Sequence, residues 1–534
     1  MIEDLRHLGE GPTIEADLCL IGAGAAGITL ARELIGSGLS VCLVESGGFE
    51  FEPDVQALYD GESIGLPEHG LEIGRLRFFG GTTNHWGGRC TPLSDLDFAV
   101  RPWIPHSGWP MRRSDLDPYY RRARQLCGLG EPRPASTVLS ALGVSPPPLG
   151  SELRVKLWEH APENWSFGRV WRQALAQATN VRVLLHANLT RFSTNEDRNH
   201  VSSIAVRPLQ GAPREIRASC YVICCGAIEN ARMLLLSAEA RAPALGNQHG
   251  LVGRFFMDHF RGRIASLVTA DAQPEIEAIF NYFTDADRRL YQIGIELAPE
   301  MQSAERTLNG CAVLDYEGDP NSGVAEAQAI WRDLQQGKWA PDMGEKVWRL
   351  LRDLDGVVAM VRRRLSTGRH PVMPLKAGLI VADIEQAPNP DSRISLSDER
   401  DAFGQRRVCV DWRASELERR TADRFAVSIG TELLRLGFGR CRIEPWLAEP
   451  RGEGGLQLGE TYHHAGTTRM AADPHDGVVD ASCQVHGVEN LYMAGGSVFP
   501  TCGHANPTFT IVALALKLAD HLKRKLARTP SLAE

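Results

Sequence analysis

Apolar residues in this chain come in short runs broken by glycine, and the first such pattern is the most informative. Leu18 to Ile21 are continuously apolar, as in a strand covered on both faces. Gly22, Gly24 and Gly27 follow as G-x-G-x-x-G, Ala25 to Leu34 have helical periodicity, and Gly36 and Gly38 close that helix. Val41 to Val44 form a second apolar run that ends at Glu45 and Ser46. The order predicts a βαβ unit. Its first glycine permits a tight turn, its second lets backbone approach a pyrophosphate, and its third lets helix pack on strand. The helix N-terminus favours the phosphate charge, and Glu45 stands at the spacing from which an acid reaches the ribose hydroxyls of an adenine dinucleotide.

The same strand–glycine–helix order returns late. Val181 to Leu185, Val201 to Arg207 and Cys220 to Cys225 read as strands, and Gly226 leads into a helix over Ala227 to Ser237. Leu491 to Ala494 is a strand ending in Gly495 and Gly496, and Thr508 to Leu522 is a helix with Asn506 as N-cap and Pro507 at its first position. Between these segments the period changes. Ile264 to Ala270, Tyr291 to Leu297 and Gly378 to Glu385 suit an antiparallel sheet, Arg393 to Ser397 pairs with Arg407 to Trp412, and a long helix runs from about Ala414 to Leu436. A helical pattern over Gly323 to Arg364 carries Trp331, Leu334, Trp348, Leu351 and Leu354, with Arg362, Arg363 and Arg364 read as its solvated end. The segment from Trp103 to Arg124 reads as a cover, with a helix starting near Ser114. The fold class is therefore α/β: a discontinuous Rossmann-like domain (1–100, 175–260 and 450–534), a covering segment (101–174) and an inserted α+β substrate domain on an antiparallel sheet (261–449).

Composition narrows this further. With 534 residues, 43% hydrophobic and 23% charged, the chain has the balance of a globular protein of more than one core. A net charge of −8 argues against a nucleic-acid surface. The 12 cysteines form no C-x-x-C pair, so neither a metal cluster nor a disulfide framework is expected, and Cys224 and Cys225 read as core packing. No apolar run is long enough for a transmembrane helix, and the acidic start lacks a signal peptide's apolar region. A cytoplasmic location is the expectation, with export alongside a signal-bearing partner left open. Oligomeric state is not readable.

Candidate chemistry lies in two glycine-flanked stretches. FFGGTTNHWGGRC, Phe78 to Cys90, sets Thr83, Asn84, His85 and Trp86 between glycine pairs, as in a loop lying against something flat. ETYHHAGTTRM, Glu460 to Met470, and SVFPTCGHANPT, Ser497 to Thr508, place histidines and Asn506 beside the terminal helix, whose N-terminus suits negative charge on a reduced flavin. His463, His464, His475, His486 and His504 lack H-x-x-x-H spacing, so no metal site is expected.

Together with YVICCGAIENARMLLLS, VGRFFMDH and PNPDSRISLSDERD, these stretches resemble, in order and over nearly the whole chain, the glucose–methanol–choline (GMC) oxidoreductases. The resemblance implies FAD held by Gly22, Gly24, Gly27, Glu45, Ser46, Thr83, Asn84, His85, Gly226, Gly496, Pro507 and Thr508. His463 matches the family's catalytic histidine and Asn506, five residues past Thr501, its second catalytic position. A near-neutral imidazole can take a hydroxyl proton while hydride leaves carbon, and an amide can donate to the developing alkoxide. His464 or His504 as the reactive histidine, and Asn506 as a helix cap, stay open. The likeness is greatest to pyranose oxidases, sugar dehydrogenases and glycoside oxidases, which implies a sugar or other alcohol as substrate and oxygen, quinone or a redox protein as electron acceptor. A dehydrogenase subunit with a haem or quinone partner, and a flavin-containing hydroxynitrile-type lyase, are the alternatives. Pyranose oxidases link flavin to a histidine directly before tryptophan. His85 stands there, preceded by Asn84 instead of threonine, and an edge contact without a bond is the preferred expectation.

Overall fold

In the computed structural model the described residues are 1–9, 11–66, 70–239, 242–268, 273–318, 375–448 and 456–527, with positions 348 and 358. The helical pattern expected over 323–364 lies outside them apart from those two positions, as does the arginine run at 362–364.

The main sheet has 8 strands, ordered Ile2–Asp4, Val181–Leu185, Val41–Val44, Ile14–Ile21, Arg214–Ile223, Val201–Arg207 and Asn188–Thr194, with Leu491–Met493 on the far half of Arg214–Ile223. From Ile2–Asp4 through Ile14–Ile21 to Leu491–Met493 every pairing is parallel. The apolar runs are buried on both faces accordingly: Leu18, Cys19, Leu20, Leu43, Val222 and Ile223 are inaccessible or nearly so. Arg214–Ile223 is longer than its apolar run because its first half pairs antiparallel with Val201–Arg207, where polar residues can face water. Helix Ala25–Glu33 packs against the terminal helix Pro507–Leu526, which also packs on Asp117–Leu126. That packing brings chain regions nearly 500 positions apart to one end of the sheet.

A second 8-stranded sheet is antiparallel throughout, ordered Cys441–Ile443, Phe260–Leu267, Leu375–Ile384, Gly310–Gly318, Leu290–Leu297, Leu153–His160 and Arg89–Cys90, with Tyr282–Thr284 on Leu290–Leu297. Two of these strands lie outside the 261–449 span. Leu153–His160 carries arginine, lysine, glutamate and histidine among its apolar residues and is only partly buried, so its period is weak. Arg89–Cys90 is two residues long. A third sheet joins hairpin Arg393–Arg400 and Arg406–Trp412 to Gly61–Gly65. Helix Glu416–Arg435 matches its expected span, whereas the helix expected near Ser114 begins as a 3-10 turn, Arg113–Leu116, before Asp117–Leu126.

Candidate active site

The carboxyl end of the parallel sheet opens into a cavity of ≈ 670 Å³, within the usual range for ligand sites. Its wall includes Gly22, Gly24, Glu45, Ser46, Thr83, His85, Gly226, Gly496, Pro507 and Thr508, together with His463 and Asn506. Two expected residues stand behind this lining. A Cβ on Gly27 would sit 1.9 Å from the Gly22 carbonyl oxygen, so its bare Cα lets the helix close on the turn. Asn84 donates to the Phe79 carbonyl at 3.1 Å and accepts from Ser166, so its side chain braces the loop.

One end of the cavity is built for an anion. Gly24 begins helix Ala25–Glu33, and a Cβ added there would meet no protein atom within 4 Å, so the space before it is free for a ligand. Gly81 closes over it from the loop, its Cβ position 3.1 Å from the Gly24 Cα. Glu45 is buried and tied into the turn, accepting from Ala23 N–H at 2.8 Å, the Ser46 hydroxyl at 3.1 Å and Gly47 N–H at 3.1 Å. Arg77, paired with Glu229 at 3.4 Å, lines the same region and keeps a buried Nε with no protein partner.

The other end carries the imidazoles. His463 Nε2 lies 3.0 Å from Asn506 Nδ2, and His463 Nδ1 lies 2.9 Å from both the Thr461 hydroxyl and His259 Nδ1. Asn506 occupies the N-cap position of the terminal helix but makes no side-chain cap bond; its amide faces His463 instead, which corrects the expectation that its oxygen caps the helix. Burial, and repulsion from the adjacent His259 ring whenever that ring is charged, lower His463 to about 3 against the pull of Asp258 and Asp383, so it is neutral at physiological pH. His464 also lines the cavity, and burial lowers it to about 4. His504 is buried away from the cavity wall and bonds Glu296 Oε2 at 3.2 Å.

The segment before His463 is gathered by one carboxylate. Asp258 Oδ1 accepts from His259 N–H at 2.6 Å, His463 N–H at 2.7 Å and the Thr461 hydroxyl at 2.8 Å. Its Oδ2 accepts from Tyr462 N–H at 3.0 Å and Thr461 N–H at 3.1 Å. Tyr462 is held with φ 61°, a strained backbone that these bonds secure. Burial would raise the Asp258 pKa, but the surrounding imidazoles and N–H groups prevail and lower it. Sequence reading did not assign roles to Asp258, His259, Arg77 or Thr461. Asp258 and His259 sit in VGRFFMDH, yet no spacing rule connects residue 258 to residue 463.

Comparison with known proteins fits this arrangement. The GMC oxidoreductase family profile matches residues 388–515. The chain is 28% identical to 6'''-hydroxyparomomycin C oxidase of Streptomyces lividus over 95% of its own length and 92% of that protein's. The chain resembles the GMC oxidoreductases. It is also 22% identical to the fructose dehydrogenase large subunit of Gluconobacter japonicus, covering 96% and 99% of the two chains, and 26% identical to paromamine 6'-oxidase of Streptomyces fradiae, covering 94% and 90%. In fold it matches the crystal structure of pyridoxine 4-oxidase from Mesorbium loti with a TM-score of 0.58 at 18% identity, over 95% of this chain and 98% of that one. The family match makes it an oxidoreductase acting on CH–OH groups and implies FAD as its cofactor. The open cradle before Gly24, the unpartnered Arg77 Nε and the anchored Glu45 carboxylate fit the dinucleotide part of FAD. Among the described residues no helix is long and apolar enough to cross a membrane, and no cluster suits a metal ion.

Proposed function

We propose that this protein oxidises a hydroxyl of a sugar or glycoside, most simply a secondary one, to a carbonyl. Bound FAD supplies the hydride acceptor. Gly22, Gly24, Glu45 and Arg77 would hold its dinucleotide part, and Gly496, Pro507 and Thr508 at the terminal helix would line the rest of its site. The neutral His463 Nε2 takes the substrate hydroxyl proton, and the Asn506 amide donates to the oxygen as it loses that proton. The observation that carries the reading is the 3.0 Å pairing of His463 Nε2 with Asn506 Nδ2 on the wall of a cavity shared with the glycine-rich turn. The hydroxyparomomycin, paromamine and fructose enzymes among its relatives support the substrate class.

Anaerobic mixing of the yellow holoprotein with a panel of sugars and glycosides tests this. Bleaching of the flavin absorbance, with a ketone or aldehyde product, supports it. Substrate cleavage without bleaching would mark a lyase.

The near-complete coverage of a fructose dehydrogenase large subunit favours a second reading of the electron acceptor, in which a quinone or a haem-bearing partner takes the place of oxygen. Reoxidation rates of the reduced enzyme with oxygen, quinone and a dye separate the two. His85 lines the cavity on an exposed loop position, which suits an edge contact with the flavin without a covalent bond. All 12 cysteines are free, in keeping with a reducing, cytoplasmic setting.

A further inference from the structure

His259 is buried, does not line the cavity, and points a ring nitrogen at the back of His463. We infer that His259 is a positioning residue that accepts the Nδ1–H of His463, holding the Nε2 lone pair towards the cavity and supporting the ring once it is protonated. The inference rests on His463 being the base.

The direction of the proton follows from the neighbours. The Asn506 amide nitrogen has only hydrogens to offer, so His463 Nε2 accepts and its proton sits on Nδ1. The Thr461 hydroxyl has one hydrogen, and the Asp258 carboxylate at 2.8 Å is its strongest acceptor, which leaves Oγ1 to accept from His463 as well. His463 Nδ1–H is therefore shared between Thr461 Oγ1 and His259 Nδ1, both at 2.9 Å. His259 can accept only with its own proton on Nε2. That nitrogen is buried with no hydrogen-bond partner, and the Cys502 backbone raises the ring's affinity for a proton. Asp258 fixes the geometry by binding the backbone N–H of both histidines.

The step balances without further reagents. The substrate hydroxyl proton moves to His463 Nε2, its carbon-bound hydride leaves to the acceptor, and the imidazolium then carries N–H on both nitrogens. A neutral imidazole accepts from that cation better than a hydroxyl does, because a charge-assisted bond strengthens with the basicity of its acceptor.

His259→Asn keeps an acceptor where Nδ1 stood, His259→Phe removes it, and Thr461 remains in both. In FAD-loaded protein with ¹⁵N-labelled histidine, the His463 signals, assigned by their loss in His463→Ala, should report a proton on Nδ1 in the wild type and in His259→Asn. Stopped-flow flavin reduction under anaerobic conditions should fall about 10- to 100-fold in His259→Phe, as when the partner that orients a metal-bound histidine is removed. Substrate KM should change little, and His259→Asn should stay within a few-fold of wild type. A proton on His463 Nε2 in the wild type overturns the inference, as does a folded His259→Asn that is as slow as His259→Phe, or a His259→Phe that reduces at the wild-type rate. If His259→Phe does not load FAD, the NMR tautomer and the Asn variant decide. Unchanged reduction in His463→Ala would instead remove the base assignment itself.

Discussion

Replacing Asp258 by asparagine keeps volume but removes the charge that gathers residues 461–463. The asparagine oxygen can retain the bonds from His259 N–H, His463 N–H and the Thr461 hydroxyl that Oδ1 now accepts. Its NH2 would then meet the Tyr462 and Thr461 N–H groups, donor against donor, where Oδ2 now accepts both. Two half-buried N–H groups left without an acceptor cost up to about 1–3 kcal/mol each, so a loss of about 3 kcal/mol is the expectation. With an unfolding entropy of about 2.1 cal/mol/K per residue, that corresponds to a Tm lower by roughly 3 °C for a chain of this length. Catalysis should suffer more than stability, because a displacement of about 1 Å in a reacting group can cost about 10²-fold. The pH dependence has a definite sign. The Asp258 pKa is depressed in the folded state, so its contribution is present above the ordinary carboxylate range and is lost as pH falls through the depressed value. The Tm gap between wild type and Asp258→Asn should therefore hold at pH 7 and close in acid. Differential scanning fluorimetry across pH, paired with anaerobic flavin reduction, measures both effects. An unchanged Tm and an unchanged reduction rate at pH 7 would refute the role assigned to Asp258.

Gly24→Val should abolish FAD binding, since its side chain would enter the open space before helix Ala25–Glu33, and titration of the apoprotein with FAD reads the loss directly. The Glu296–His504 contact should stabilise most where both are charged. His504, raised to about 10 by Cys311 and Glu296 against burial, contributes fully below its unfolded pKa and loses that contribution as pH rises through about 10. Glu296→Gln should therefore lower Tm more at pH 6 than at pH 10, and an equal drop at both would contradict the pairing. Acid precipitation should release the flavin into the supernatant, and a flavin-sized mass retained on the polypeptide would establish a link at His85.

The parallel core was legible because its strands are covered on both faces. Leu18 to Ile21, Val41 to Val44 and Val181 to Leu185 have no polar residues facing water to blur the run, apart from Arg182 on the last. The second sheet was legible only where strands are long and apolar. Leu153–His160 escaped notice because it mixes charge with apolar residues along one partly buried strand, and Arg89–Cys90 is too short to carry a period. At the site, the glycine-rich turn, Glu45 and Asn506 reach one cavity because each lies at a strand end or helix start, and His463 joins them from the irregular segment just before Ala465. Their support was not legible. Asp258, His259 and Thr461 meet His463 through an isolated bridge between Met257 and Ala465, a tertiary pairing with no local sequence signal.

The central claim is proton removal by His463 coupled to flavin reduction. Anaerobic stopped-flow reduction of His463→Ala, compared with wild type on the best substrate of the sugar panel, tests it most directly. The variant should remain folded and yellow while its reduction rate falls about 10²–10⁴-fold, the usual worth of a positioned base. A variant that bleaches at the wild-type rate would contradict the claim and turn attention to His464, the neighbouring imidazole on the cavity wall.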